Sequence, residues 1–536
     1  MTTDPLTLPA LLHHNSEAHG DRAAIISEWG SLDFSALDRD SANLASQLVG
    51  SGIGPSSRVG LLMENGIEWA VIATAVMRVG AVLVPLSTLL KPPELHDQLQ
   101  VASVTELVVT SEFRDRNYLS DLDSIAPGIV DVLRGGRRHT ELPNLRGVWA
   151  ADHLPTNPVE RVMVTALEGA VRPGDDLVIL FTSGSRSIPK GVIHTHGGAI
   201  RATASGLASR CVRPGERLYI PMPFFWTGGF SGGLMTALVA GATLITEAIP
   251  EPAGTLGLLE RERVTLFRGW PDQAARLASH PKFASTDLTN LGPGSLSAVL
   301  PVDQRPKPGA RANLFGMTET FGPYCGYRLD TDLPPDKHGS CGRPFEGIDV
   351  RIFDAESGGR CPPGVDGEIA VRGPNVMRGI CGRSRTETFD ADGYYHTGDL
   401  GALDSDGFLW YRGRIDDMFK VSGATVYPSE VEAALHRVDG VRQAFVTNIQ
   451  GPDGDQVGAL VVTSLTPDAL DGTIRSSLSS FKVPTLWYVT ESSEDVPRTA
   501  SDKVAKPALQ ALIEMKGGKI RLSTASGNGS EKGPPP

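Results

Sequence analysis

The polar stretch Thr182-Ser183-Gly184-Ser185-Arg186-Ser187-Ile188-Pro189-Lys190-Gly191 constrains this chain more than any other segment. It is entered from the apolar run 177–181 and left through Val192-Ile193, a pattern that reads as strand, loop, strand. Small and hydroxyl residues in such a loop leave backbone N–H groups free to surround an anion. A nucleotide loop of the GTPase kind needs Gly directly before its Lys and Ser or Thr directly after. Here Pro189 precedes Lys190 and Gly191 follows, so that kind is excluded.

Four further segments carry chemistry. Leu314-Phe315-Gly316-Met317-Thr318-Glu319 joins an aromatic residue, a glycine, a hydroxyl and a carboxylate. A hard divalent cation takes carboxylate and phosphate oxygens, so a carboxylate such as Glu319 is chemically apt to hold one. Alone, Glu319 reads equally well as a solvated surface carboxylate. Tyr395-His396-Thr397-Gly398-Asp399-Leu400 carries an acid, Asp399, with two acceptor oxygens. Gly413-Arg414-Ile415-Asp416-Asp417-Met418-Phe419-Lys420-Val421-Ser422-Gly423, taken by itself, is a charged turn between short strands. Asp495-Val496-Pro497-Arg498-Thr499-Ala500-Ser501-Asp502-Lys503 closes the series.

In this order the five segments resemble the signatures of the adenylate-forming enzymes (the superfamily of acyl-CoA ligases, luciferases and peptide-synthetase adenylation modules). The branch they resemble is the acyl-CoA ligases. The loop matches the family's phosphate loop at Thr182, Ser183, Gly184, Pro189, Lys190 and Gly191, with Ser185 within the cradle. The resemblance implies that Phe315 packs near adenine, that Thr318 meets the α-phosphate and that Glu319 binds Mg2+. It implies that Asp399 takes the ribose hydroxyls, that Arg414 reaches ribose or phosphate, and that Asp416 is an interdomain hinge. Lys503 falls on the lysine that bridges the substrate carboxylate and the α-phosphate; Lys506 is the competing assignment, and spacing favours Lys503. Gly423 would face a thiol tunnel. The segments 60–66, 79–88, 339–344 and 367–373 extend the resemblance over nearly the whole chain.

Three residues depart from the pattern. Arg186 and Ser187 stand where the family has a small hydroxyl residue and a glycine, and Asp502 replaces the glycine before the lysine. Glycine allows positive φ and close phosphate approach, which Ser187 does not allow as readily. Either the cradle for the β- and γ-phosphates is impaired, leaving transfer from a preformed acyl-adenylate to CoA, or the loop tolerates the change.

The acid pocket is expected at Pro221-Met222-Pro223-Phe224-Phe225-Trp226-Thr227-Gly228-Gly229, with Phe225 and Trp226 beside the acyl group and Gly316 and Met317 completing it. An aromatic core turn is the competing reading. The segment lacks the aspartate with which amino-acid-activating members hold an amine, so an uncharged, largely apolar acid is expected, bulky and polycyclic or long and aliphatic.

At 536 residues the chain is long enough for more than one domain. Apolar β-rich runs at 105–109 and 177–180 alternate with amphipathic segments at 36–49 and 66–77, which points to a doubly wound α/β architecture. Short strands with Gly, Pro and Asp turns fill 349–409, as in a small β barrel-like unit, and a compact α+β segment follows with a helix over 429–437. The expected division is an N-terminal domain over 1–415, two doubly wound subdomains plus the β unit, then a smaller mobile α+β domain over 416–515. A disordered tail is expected over 516–536.

A net charge of −12 argues against broad nucleic-acid binding. Five cysteines without a C-x-x-C pair suit reduced thiols in a cytoplasm. Asp4, His13, His14 and Glu17 interrupt any signal-like start, and no apolar stretch is long enough for membrane insertion. The expected activity is that of an acyl-CoA ligase taking a small carboxylic acid, ATP, Mg2+ and coenzyme A through an acyl-adenylate. If adenylation is impaired, a separate adenylating enzyme would supply the acyl-AMP. An adenylating enzyme that loads a separate carrier protein and a luciferase-like oxygenase share the same motifs.

Overall fold

Two sheets, mostly of parallel strands, organise most of the larger part of the chain. The computed structural model describes residues 5–182, 189–307, 309–421, 424–451, 454–475, 478–499 and 503–519. Contact density divides it into two compact units, one over Met1–Thr397 with Ala402–Tyr411, the other over Gly398–Gly401 with Arg412–Pro536.

In the larger unit, a seven-stranded sheet runs in the order Gly379–Ile380, Lys190–Thr195, Asp176–Thr182, Val82–Pro85, Arg58–Leu62, Glu106–Val109, Gly147–Ala150. Its pairs are parallel from Asp176–Thr182 outward to Gly147–Ala150. Parallel strands are covered by helices on both faces and read as unbroken apolar runs. Leu177, Val178, Ile179 and Leu180 are accordingly all fully buried. A five-stranded sheet follows the same logic, in the order Leu266–Phe267, Arg217–Tyr219, Thr243–Ile245, Ala23–Ser27, Gly30–Asp33. The doubly wound α/β expectation therefore holds.

Helix Phe34–Gly50 starts where the Asp33 carboxylate accepts from the Ala36 N–H at 2.6 Å. Helix Ile67–Arg78 differs from its expected amphipathic character. It is buried almost all round from Trp69 to Arg78 because helices Leu8–His19 and Phe34–Gly50 and strands of both sheets enclose it. The fully buried Arg78 is matched by Asp38 and Glu168. All five cysteines are free.

The region 349–409 forms a sheet from Asp349–Phe353, Gly367–Arg372 and the strands Tyr395–Leu403 and Leu409–Arg414, through which the boundary between the units runs.

The smaller unit is α+β. Strands Gln443–Gly451, Gly454–Val462, Leu486–Thr490 and Gly518–Lys519 make a sheet, packed against helices Pro428–His436, Pro467–Ile474 and Lys506–Lys516. Gly518–Lys519 pair antiparallel with Leu486–Trp487, so the expected tail over 516–536 has an ordered beginning; 520–536 lie outside the described residues. Backbone pairing to a sheet edge outweighs the tail's polar composition at that point. Among the described residues no helix is long and apolar enough to cross a membrane.

Candidate active site

The phosphate-loop segment is the connection of an antiparallel hairpin. Strand Asp176–Thr182 pairs with Lys190–Thr195, and Thr182 stands opposite Lys190 in the register. Ser183, Gly184, Ser185, Arg186 and Ser187 lie outside the described residues. Thr182 and Lys190 therefore mark the two stems of the loop, both half-buried.

The second element is a strand and tight turn. Phe315–Met317 pairs with Gly322–Gly326, and Thr318–Thr320 makes the connecting 3-10 turn. A Cβ on Gly316 would stand 2.2 Å from the Gly322 carbonyl oxygen, so the closeness of the two strands alone demands glycine there. The Phe315 ring packs on Tyr411 and Tyr324, with centroids 4.7 and 5.5 Å away.

Glu319 is 7 % exposed and held at both ends. Its carbonyl accepts from the Met377 N–H at 2.8 Å, and Oε1 accepts from the Tyr395 hydroxyl at 3.2 Å. Among the described residues no cluster of three or more His, Cys, Asp or Glu side chains could hold a metal. One oriented carboxylate fits Mg2+, which is usually bound through one or two carboxylates together with substrate phosphates and water.

The aromatic turn reaches this element directly. Phe225 and Trp226 stack edge to face at 5.3 Å, Phe225 buried and Trp226 half-buried. The next residue, Thr227, places its Oγ1 2.9 Å from Thr318 Oγ1. Thr227 opens a helical stretch that continues as a π-helix over Phe230–Met235. Such turns are rare and recur at functional sites. The sequence assigns Phe225 and Trp226 a role but none to Thr227 and Tyr395, which stand in the same segments as other candidates, nor to His194, which lies on the strand that follows the phosphate loop. Their signal is only positional.

In the smaller unit, Arg414 Nη1 donates to Asp399 Oδ1 at 3.1 Å, and Asp399 is 6 % exposed. Gly398, at φ +71°, lies against that guanidinium, where a Cβ would come within 2.8 Å of Nη2. Asp416 belongs to the short 3-10 turn Ile415–Asp417. Lys503 is exposed, and its carbonyl accepts from the Thr499 N–H at 2.7 Å. Lys506 begins the last helix and ion-pairs with Asp417. Gly423 and Asp502 lie outside the described residues.

Comparison with known proteins follows the same lines. Residues 12–381 match the family model described as AMP-binding enzyme. The chain is 31 % identical to the 3-[(3aS,4S,7aS)-7a-methyl-1,5-dioxo-octahydro-1H-inden-4-yl]propanoyl:CoA ligase of Mycobacterium tuberculosis, covering 96 % of this chain and 100 % of that protein. It is 30 % identical to a feruloyl-CoA synthase of Amycolatopsis, covering 92 % and 95 %. Among solved structures, the anthranilate CoA ligase AuaEII in complex with anthranoyl-AMP superposes with a TM-score of 0.76 at 22 % identity, over 95 % of this chain and 97 % of that one.

Proposed function

The chain belongs to the AMP-binding enzyme family, as an acid–thiol ligase of the acyl-CoA synthetase type, and from that premise we propose that it converts a ring-bearing, largely apolar carboxylic acid to its CoA thioester. The observation that carries this reading is the link between Thr227 and Thr318. It joins the turn of Phe225 and Trp226 to the turn of Thr318 and Glu319, so an acyl group against the rings has its carboxylate beside the residues assigned to phosphate.

A carboxylate is a poor acylating agent because hydroxide leaves badly. Attack of its oxygen on the α-phosphorus of ATP forms the acyl-adenylate and releases pyrophosphate; thiol attack at the acyl carbon then expels AMP. In this reading Thr318 donates to an α-phosphate oxygen, and Thr182, Ser183, Gly184, Ser185 and Lys190 receive the phosphates. Asp399 and Arg414 hold ribose, with Phe315 near adenine. Glu319 would hold Mg2+, which supplies charge neutralisation to the phosphates when bound. Lys503 neutralises charge on the carboxylate and α-phosphate during adenylation, Gly423 belongs to the thiol path, and Asp416 is the hinge. Positioning and fixed charge supply the rate in both halves.

Ring-bearing acids are favoured by the two edge-to-face rings and by the relatives named above, whose names specify ring-bearing substrates. A paired assay tests the reading with ferulate, 3-hydroxybenzoate, anthranilate and octanoate. One arm supplies acid, ATP, Mg2+ and CoA; the other supplies the synthetic acyl-adenylate and CoA. Thioester in both arms, from a ring-bearing acid in preference to octanoate, is expected. Thioester from the adenylate alone would assign Arg186 and Ser187 a lost first half-reaction, and Arg186→Thr with Ser187→Gly should then restore ATP use. No thioester in either arm would overturn the reading.

A further inference from the structure

His194 is a buried polar ring to which nothing above gives a role. It lies on the strand Lys190–Thr195, is 1 % exposed, and points its Nε2 at the Thr318 carbonyl oxygen, 2.7 Å away. A carbonyl only accepts, so Nε2 carries the proton and donates. Burial pushes the ring's pKa down to about 4, which keeps it neutral.

The same carbonyl accepts from the Phe321 N–H at 2.9 Å, closing the turn. Phe321 holds the left-handed conformation at φ +58°. Its ring meets His194 edge-on at 4.9 Å, and its carbonyl accepts from Ser231 Oγ. A non-glycine residue in that region persists only where its surroundings over-determine it. His194 supplies two of those constraints, a hydrogen bond and a ring contact.

The strand matters as much as the turn. Side chains four residues apart on a strand share a face, so Lys190 and His194 project on the same side. Beside them, successive N–H groups of Met377 and Arg378 donate to the carbonyls of Glu319 and Ile193, each at 2.8 Å. The turn and the strand are thus tied twice, once by backbone and once by this imidazole. An apolar side chain of similar volume would fill the space and make only the first tie.

We propose that His194 is a positioning residue that fixes the Thr318–Glu319 turn against the strand carrying Lys190. It donates to no substrate; it sets where the Thr318 hydroxyl and the Glu319 carboxylate stand relative to the lysine. The inference rests on the reading that Thr318 and Lys190 meet the nucleotide phosphates.

Three variants test it. His194→Gln can place an amide N–H where Nε2 lies; His194→Asn carries the same amide but falls short of the Thr318 carbonyl; His194→Leu removes the donor. Adenylation is read as pyrophosphate release with the acid that the wild type uses fastest. The Leu and Asn variants should lose about tenfold in kcat, as expected for one hydrogen bond, with KM for the acid within about twofold. Gln should stay within about threefold of wild type. Hydrogen exchange of the ligand-free protein over 315–321 should quicken in Leu and Asn and not in Gln. If the Leu variant does not fold, the contrast between Asn and Gln decides. Equal kcat in Asn and Gln, or a kcat unchanged in Asn, overturns the proposal. A wild type that releases no pyrophosphate with any acid bears on the adenylation half of the proposed function instead. Exchange then decides, faster in Asn than in Gln supporting the positioning role and equal exchange refuting it.

Discussion

Lys506 is ion-paired with Asp417, and Lys503, three residues earlier, hydrogen-bonds through its backbone to Thr499. The two lysines compete for one assignment in the sequence, and Lys506 is held in an ion pair with a carboxylate of its own unit. A lysine committed to a structural carboxylate is poorly suited to neutralise a reacting phosphate. Lys503→Ala should therefore lower adenylation by about 100-fold or more, the scale of removing one transition-state donor, while thioester formation from synthetic acyl-adenylate stays near wild type. Lys506→Ala should leave adenylation within about twofold and shift stability by less than about 1 kcal/mol, since the pair is partly exposed. Pyrophosphate release and adenylate-driven thioester formation, measured on both variants, check this.

Thr227→Val keeps the shape of the side chain and removes the hydroxyl that meets Thr318. One lost hydrogen bond of about 1.4 kcal/mol corresponds to about tenfold in rate. A fall of that size in adenylation kcat is expected, with thermal stability near that of the wild type. An unchanged kcat would mean that the Thr318 hydroxyl needs no partner.

The first helix carries a pH-sensitive clamp. His13 Nδ1 lies 3.2 Å from Asp38 Oδ2 and Nε2 lies 3.2 Å from Glu168 Oε2, and both carboxylates also take Arg78. The hydrogen bonds to Asp38 and then to Glu168 raise the His13 pKa to about 9, against the opposing effect of burial. A raised histidine contributes its stability fully below its unfolded value of about 6.5 and loses it as pH climbs through about 9. The melting temperature should fall over that window. His13→Gln should flatten the profile there, and a slope equal to wild type would refute the assignment.

Glu432 points the other way. Burial pushes its carboxyl up to about 7, even though the Val446 N–H donates to it at 2.9 Å and Lys506 pulls it down. A carboxyl raised on folding favours the folded state when protonated, so its contribution diminishes as pH rises from about 4.5 to about 7. Glu432→Gln preserves the acceptor for Val446 without the charge. It should raise the melting temperature of the smaller unit at pH 8 and leave it nearly unchanged at pH 4. Equal shifts at both pH values would rule this out.

The order of the motifs and the apolar runs were readable from the chain alone, because backbone conformation and strand burial are local. A run such as 177–180, apolar at every position, belongs to a strand covered on both faces. Phe315, Thr318, Glu319, Asp399, Arg414 and Lys503 became candidates because the segments that hold them resemble the family's signatures. Helix Ile67–Arg78 was harder, because whether its second face is covered depends on how strands and helices elsewhere in the chain pack on it.

What only the tertiary structure decided is which residues hold the candidates in place. Thr227 and Thr318 are 91 residues apart, His194 and Thr318 are 124 apart, and Glu319 and Tyr395 are 76 apart. Hydrogen bonds act over about 3 Å and carry no trace in local periodicity, so no spacing rule could have paired them. The sequence by itself determined the family, the chemistry and the strands and turns that carry it. The packing of the two sheets and the turns between them decided the partners, because a short-range contact between distant segments exists only once the chain has folded.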